Sequence, residues 1–194
     1  MPIIDIHTGG IDLIFPHHEN ELAQALAATG KPLARFWIHS HFVNINNEKM
    51  SKSLNNFFTL NDLKKDNIDP LAYRYFVLNA HYQTDINYTN ESIQAAQNRL
   101  NKIRNRLASL PDGGKVNENL KAEFIKSLED NLNTPQTLAI IDSAADLDPA
   151  DEKATWLEFD KVWGLNLAKM RKIEEITAEV AKLAAEREEA RKAQ

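Results

Sequence analysis

No cysteine occurs anywhere in the 194 residues. Disulfides and thiolate metal ligands are therefore excluded within this chain. Long apolar runs are also missing. Nothing approaches the roughly 18 consecutive apolar residues that signal a membrane-spanning helix, so no membrane partner is expected. The first residues, Met-Pro-Ile-Ile-Asp-Ile-His, lack the basic region and apolar stretch of a signal peptide. A cytoplasmic location is the default expectation. Excess positive charge is absent too. The net charge is −5, which argues against non-specific nucleic-acid binding. Repeats and low-complexity tracts are not found.

What is present is enough for a packed core, because 43% of the residues are hydrophobic. Charge is uneven along the chain. Residues 61–110 carry seven basic against five acidic side chains, with Arg99, Lys102, Arg104 and Arg106 close together. That cluster fits either an RNA contact or a solvated helix face.

Residues 1–60 have α/β texture. Ile3–His7 alternates apolar and polar residues and reads as a strand that ends at Thr8-Gly9-Gly10. Pro16 and Gly30 bracket a helix. Trp37–His39 and Phe42–Ile45 read as β segments forming a hairpin, with Asn46-Asn47 as a turn. Helices dominate beyond Asn61. The patterns predict one starting at 62–65, one at 69–80 with Pro70 in its first turn, and a long one capped by Thr89-Asn90-Glu91 and ending near Leu110. Pro111–Gly114 is the clearest linker. Further helices are expected at 118–130, 134–146, 149–163 and 170–192, the last highly charged.

Three runs carry chemistry. In Lys49-Met50-Ser51-Lys52-Ser53, two lysines lie three residues apart beside small hydroxyls, just after a β segment. Such a loop can hold nucleotide phosphates and offset the charge that develops as pyrophosphate leaves. Lys and Ser are also common on solvated loops. In Phe15–Glu21, His17 and Glu21 are four apart and share a helix face. An imidazole and a carboxylate so placed can chelate zinc, with His18, Glu19, His39 and His41 as further candidate ligands. A polar helix start with acids near its dipole is the plainer reading. Finally, Gly9-Gly10-Ile11-Asp12 puts a glycine turn and an acid after a strand, which suits a nucleotide ribose.

The order DIHTGGIDLIFPHHENELAQ, then NEKMSKSLNNFF, strongly resembles the class I cysteinyl-tRNA synthetases over residues 3–65. The likeness continues more loosely through DPLAYRYFVLNAHYQTDINYT and FIKSLEDNLNTPQTLAIIDS. It implies a cysteine–tRNA ligase reaction. Cysteine and ATP, the latter with Mg2+, form cysteinyl-adenylate, and the cysteinyl group then passes to its tRNA. By position, the resemblance assigns Lys49 and Lys52 to the ATP loop, with Lys52 in direct contact. His7 would line the cysteine pocket, and Gly10 and Asp12 would hold the adenosine. His17 and Glu21 would be two of four zinc ligands; the other two are cysteines in the family. A His-Ile-Gly-His-like ATP motif of the family is also not found in this sequence. Asn55 replaces a common glycine of the family, and so does Thr8.

The resemblance therefore implies a chain lacking the N-terminal part of the catalytic domain and inactive alone. The expected fold is an α/β segment, the C-terminal part of a class I Rossmann-like catalytic domain, followed by a mostly α-helical domain. The expected divisions are 1–60 with the lysine loop, 61–112 as a helical stem-contact segment, and 113–194 as a helical tRNA-binding-type domain. Expected partners are L-cysteine, ATP, the tRNA for cysteine and the missing N-terminal half. The sheet portion should expose an unpaired edge, with marginal stability or self-association as the consequence. Two alternatives stand beside this reading. One is the related mycothiol-pathway cysteine ligase, against which Glu21 in ligand position and the helical tail argue. The other is a non-catalytic fragment that binds tRNA or a partner.

Overall fold

A computed structural model describes residues 3–51 and 56–168. The helix expected at 170–192, and with it Lys52, Ser53 and Asn55, lies outside the described residues.

Strand β1 (Ile4–Gly10) pairs in parallel with β2 (Ala34–Ser40), so the crossover is the helix α1 (Glu19–Thr29). Gly30 closes α1 at φ 67°, the left-handed geometry that glycine adopts without a Cβ penalty. The helix expected from Pro16 starts later. A 3-10 turn (Ile11–Leu13) and a π turn (Ile14–His18) come first, and Phe15 sits at extended φ −129°, ψ 133°. The residue before a proline is pushed out of the α region, which delays the helix.

The expected hairpin between Trp37–His39 and Phe42–Ile45 does not form. β2 belongs to the first sheet. β3 (Val43–Ile45) heads a second sheet of order β4-β3-β5, with β4 (Glu48–Lys49) antiparallel and β5 (Ile86–Tyr88) parallel to it. Asn46 and Asn47 make the β3–β4 turn at φ 51° and 66°, a conformation asparagine tolerates. The bond from the His41 amide to the Tyr82 carbonyl then fastens the stretch after β2 to the loop before β5.

The helical region follows its sequence signals closely. It comprises α2 (Leu60–Lys65), α3 (Pro70–Leu78), α4 (Asn90–Ser109), α5 (Glu118–Glu129), α6 (Thr134–Ser143) and α7 (Pro149–Trp163). Reciprocal side-chain caps start α2 at Thr59/Asp62 and α4 at Thr89/Ser92, each worth about 1 kcal/mol. The helix expected over 134–146 ends at Ser143 and tightens into a 3-10 turn at Ala144–Asp146.

α4 buries Ile93, Ala96, Leu100, Ile103 and Leu107, the three-and-four spacing of one helical face. They join one core with Leu63, Ala72, Tyr75, Phe124, Leu138, Ile141, Trp156, Phe159 and Trp163. Phe124 and Phe159 stack at 4.3 Å, and Trp163 meets both edge-on. The Trp163 indole N–H donates to Thr137 Oγ1 at 3.0 Å. Arg74 Nε donates to the Trp163 carbonyl and Arg104 to that of Leu165, which ties the end of α7 to α3 and α4.

The first sheet is built differently. Successive strand residues alternate between faces, and parallel partners share a face. Ile4, Ile6 and Thr8 therefore lie with Ala34, Phe36 and Ile38 on one face; Asp5, His7 and Gly9 lie with Arg35, Trp37 and His39 on the other. The apolar face is open: Ile6 is 55% exposed and Phe36 66%. Ile4, Leu13, Ile14, Phe15 and Leu26 are exposed as well. No residue before Leu63 belongs to the buried core cluster.

Candidate functional site

The polar face of the first sheet collects the chemistry from the middle of two parallel strands toward their carboxyl ends, where open α/β sheets bind ligands. His7 of β1 and Trp37 of β2 are neighbours in register. Their rings meet edge-on at 4.7 Å. The π turn carries His18 over them. It is the one histidine that is buried, at 5% exposure, and its ring lies 4.8 Å from His7 and 5.0 Å from Trp37.

Gly9 makes this possible. A Cβ built there would come within 2.6 Å of His18 Cε1 and 2.9 Å of Leu13 Cδ1. No side chain larger than hydrogen leaves the imidazole its place. Gly10 serves Asp12 in the same way, since a Cβ there would lie 2.5 Å from Asp12 Oδ1. Gly10 and Asp12 thus occupy the end of β1 and the turn just beyond it.

Glu21, in the first turn of α1, gathers the histidines. Its Oε2 accepts from His7 Nε2 at 2.8 Å, and its Oε1 lies 3.4 Å from His17 Nε2. The His7 hydrogen bond, more than the nearby imidazoles, holds the Glu21 carboxyl below its usual range. His18 Nδ1 and His39 Nε2 share one proton at 2.8 Å. Burial, reinforced by His39 and His7, lowers the His18 pKa from 6.5 and favours the neutral ring. With Nδ1 engaged by His39, Nε2 is the nitrogen of His18 left for a ligand.

Single ligand atoms of His7, His18 and Glu21 all lie within 4.8 Å of one another. Tetrahedral zinc at bonds near 2.1 Å needs ligand atoms roughly 3.4 Å apart. Side-chain rotation of about an ångström closes the set, so these residues fit a zinc ion. His17 and Glu21, the pair read from the sequence, lie 3.4 Å apart, and His7 and His18 join Glu21 in a second grouping. His17 stays at the rim, 60% exposed, while His18 turns inward. The π turn places one extra residue before α1 and rotates His18 onto the sheet. Trp37, which the sequence reading does not single out, is the aromatic floor. Its signal is the alternation of Arg35, Trp37 and His39 along β2.

Lys49 sits apart from this cluster, in β4 of the second sheet. It is exposed, and its ammonium lies 4.5 Å over the Phe42 ring. The lysine loop is closed by a residue the sequence reading passed over. Asn56 donates through Nδ2 to the Lys49 carbonyl at 3.1 Å and accepts the Ser51 N–H through Oδ1 at 2.8 Å. Phe58 then anchors the loop end against Tyr88 at 4.4 Å.

The arginine cluster of α4 is engaged internally. Arg99 pairs with Asp142 at 2.6 Å, Arg104 with Asp69 at 2.6 Å, and Arg106 with the buried Glu152 at 2.7 Å. Those charges hold helices together, which removes most of the support for a phosphate-binding stripe. Among the described residues, no helix is long and apolar enough to cross a membrane.

The family model for the class I (C) tRNA synthetase catalytic domain matches residues 2–98. Cysteine–tRNA ligase 1 of Burkholderia lata is 42% identical over 193 residues, covering 97% of this chain and 41% of that protein. The cysteine–tRNA ligase of Caldicellulosiruptor saccharolyticus is 49% identical over 147 residues, covering 69% of this chain and 31% of that protein. Among solved structures, a LeuRS–tRNA–LeuAMS ternary complex from Agrobacterium radiobacter K84 superposes with TM-score 0.62 at 14% identity, over 84% of this chain and 26% of that one. Mycobacterium tuberculosis methionyl-tRNA synthetase bound by methionyl-adenylate does so with TM-score 0.52 at 20% identity, over 81% and 34%. These two show the fold, an α/β catalytic segment continuing into helices. The chain spans less than half the length of the relatives it matches. With the glycine turn, the His/Glu cluster and the lysine loop in the family's order, this chain belongs to the cysteine–tRNA ligase family of class I tRNA synthetases.

Proposed function

We propose that these residues form part of the active site of a cysteine–tRNA ligase, which the remaining segments of such a ligase complete. The reaction is activation of L-cysteine by ATP, with Mg2+, to cysteinyl-adenylate, followed by transfer to the tRNA for cysteine. The observation that carries the proposal is the cluster of His7, His18, Glu21 and Trp37 over the middle of β1 and β2, on a sheet whose other face is exposed.

In this reading His7, His18 and Glu21 hold the metal, with His17 at the rim. A zinc ion bound there supplies a soft Lewis acid that takes a thiolate in preference to a hydroxyl, and so separates cysteine from serine. Gly10 lets the backbone approach the adenosine, and Asp12 accepts from its ribose. Lys49, with Lys52, faces the phosphates and offsets the charge of departing pyrophosphate. The remaining segments of the ligase cover Ile4, Ile6 and Phe36 with apolar side chains. A two-stranded sheet is marginal without such cover.

The test is ATP–pyrophosphate exchange with cysteine. The chain alone should give none. Exchange should appear when the chain is mixed with the part of the Burkholderia lata ligase that lies outside the matched segment. Robust exchange by these 194 residues alone overturns the reading that they hold only part of the site. If the mixture stays inactive while the chain binds the tRNA with a steep salt dependence, the non-catalytic reading takes its place. The internal pairing of Arg99, Arg104 and Arg106 argues against that second reading.

A further inference from the structure

Asn131, in the turn between α5 and α6, gathers three side chains from the loop that joins α3 to β5. Its carbonyl accepts from His81 Nε2 at 2.9 Å, its Oδ1 accepts from the Tyr82 hydroxyl at 2.8 Å, and its Nδ2 donates to Gln83 Oε1 at 2.9 Å. The backbone is shaped for this clasp. Asn131 and Leu132 stand at φ 53° and 56°, and asparagine accepts the left-handed region with little strain. His81 Nδ1 in turn accepts from the Gln83 amide at 3.2 Å, so the ring proton is on Nε2, facing Asn131.

The other side of the same loop reaches the joint between the two sheets. The His41 amide donates to the Tyr82 carbonyl at 2.8 Å, the Phe42 amide to Asp85 Oδ1 at 3.0 Å, and the Ile86 amide to the Phe42 carbonyl at 3.0 Å. His41 and Phe42 connect β2, which carries Trp37 and His39, to β3, which leads into the lysine loop. The first sheet gives no residue to the buried core cluster, which leaves its orientation to this joint. Tyr82 carries both contacts: its carbonyl holds His41 and its hydroxyl holds Asn131.

We infer that Asn131 is a positioning residue, which acts through Tyr82 and His41 to set the angle between the two sheets and so the placement of the histidine cluster relative to Lys49. Its consequence for a reaction rests on the proposed function, because only there do both halves serve one chemistry. The clasp itself does not depend on it. Two simpler roles fit less well. Capping belongs to the second asparagine of the turn, since Asn133 Oδ1 accepts the Gln136 amide at 3.2 Å and starts α6. A purely local turn needs the left-handed backbone alone, and has no use for the Tyr82 and Gln83 bonds.

The test uses NMR on the full 194-residue chain. Asn131→Gly keeps the left-handed backbone and the carbonyl that His81 needs, and deletes only the side-chain bonds. Amide exchange at His41 and Phe42 should rise about ten-fold, while the buried Ile103 of α4 keeps its parent protection. Tyr82→Phe removes the hydroxyl but leaves the carbonyl for His41, and should raise the same two amides. Asn131→Asp retains an acceptor for Tyr82 and lets the Gln83 amide turn and donate, so it should restore the parent exchange. Residual dipolar couplings read the angle directly. One alignment tensor should fit β1–β2 and β3–β5 together in the parent and in Asn131→Asp, and two should be needed in Asn131→Gly and Tyr82→Phe. Parent-like exchange or a single tensor in Asn131→Gly overturns the inference, as does failure of Asn131→Asp to restore either. A rise that includes Ile103 also overturns it, and assigns Asn131 to overall stability. None of these readouts needs ATP, cysteine or pyrophosphate exchange, so the clasp and the proposed function fail separately.

Discussion

Replacing Gly9 by alanine is the sharpest perturbation of the histidine cluster. The new methyl would lie 2.6 Å from His18 Cε1 and 2.9 Å from Leu13 Cδ1. Ordinary carbon contacts are 3.5–4.0 Å, so the imidazole must retreat by about an ångström. The first consequence is loss of the 2.8 Å His18–His39 hydrogen bond, worth about 1 kcal/mol. The second concerns coordination. Zinc–nitrogen bonds tolerate roughly 0.2 Å, so an ångström of displacement removes His18 as a ligand. In the proposed zinc site three ligands become two, and zinc affinity should fall at least 100-fold. The assay is a competition titration against a chromophoric chelator, with the histidine ring resonances followed in parallel. In Gly9→Ala the His18 resonance should titrate closer to 6.5, because the ring leaves its buried place. A variant that binds zinc as the parent does, with His18 still titrating low, would refute this account of Gly9.

Further expectations concern the helical region, the lysine loop and pH. Arg106→Ala leaves the buried Glu152 carboxylate without its partner and should lower the urea unfolding midpoint, whereas Arg106→Met combined with Glu152→Leu should lower it far less. Asn56→Ala removes the side-chain bonds of Asn56 to the Ser51 amide and the Lys49 carbonyl, and should raise amide exchange at Ser51 about ten-fold without changing the unfolding free energy by more than about 1 kcal/mol. For pH, the folded His18 pKa is depressed, so the unfolded chain takes up a proton that the fold resists. Its stabilisation is full above about 6.5 and is lost as pH falls. Glu21 is depressed as well, so its contribution is present above 4.5 and lost on further acidification. Both shifts act in one direction, and the ring contacts of His7, His18 and Trp37 should loosen in NMR between pH 7 and 5 but stay constant from 7 to 8.

The helices were the legible part of this sequence because their signals are local. Thr89 with Ser92, Pro70 behind Asp69, and the spacing of Ile93, Leu100, Ile103 and Leu107 can be read within one or two turns. The sheets were not, because pairing is long-range. Trp37–His39 looks as able to fold back on Phe42–Ile45 as to join β1, and only the crossover through α1 decides. β5 is three residues long, and its partner β3 lies some forty residues earlier. At the site, His7, His17 and Glu21 were legible by residue and lie together, whereas the inward turn of His18 and the place of Trp37 were not. The spacing of His17 and Glu21 assumes a helix already running at Pro16. The π turn shifts the phase, and His18 takes the inward place. Asn56 carries no local signal, since its role depends on where the loop returns.

Pyrophosphate exchange in three samples tests the central claim most directly. The chain alone should show none. The chain mixed with the part of the Burkholderia lata ligase outside the matched segment should exchange in a cysteine-dependent way, and the same mixture carrying Lys49→Ala should be slower by about 100-fold. Exchange by the chain alone, or a mixture indifferent to Lys49, would contradict the account.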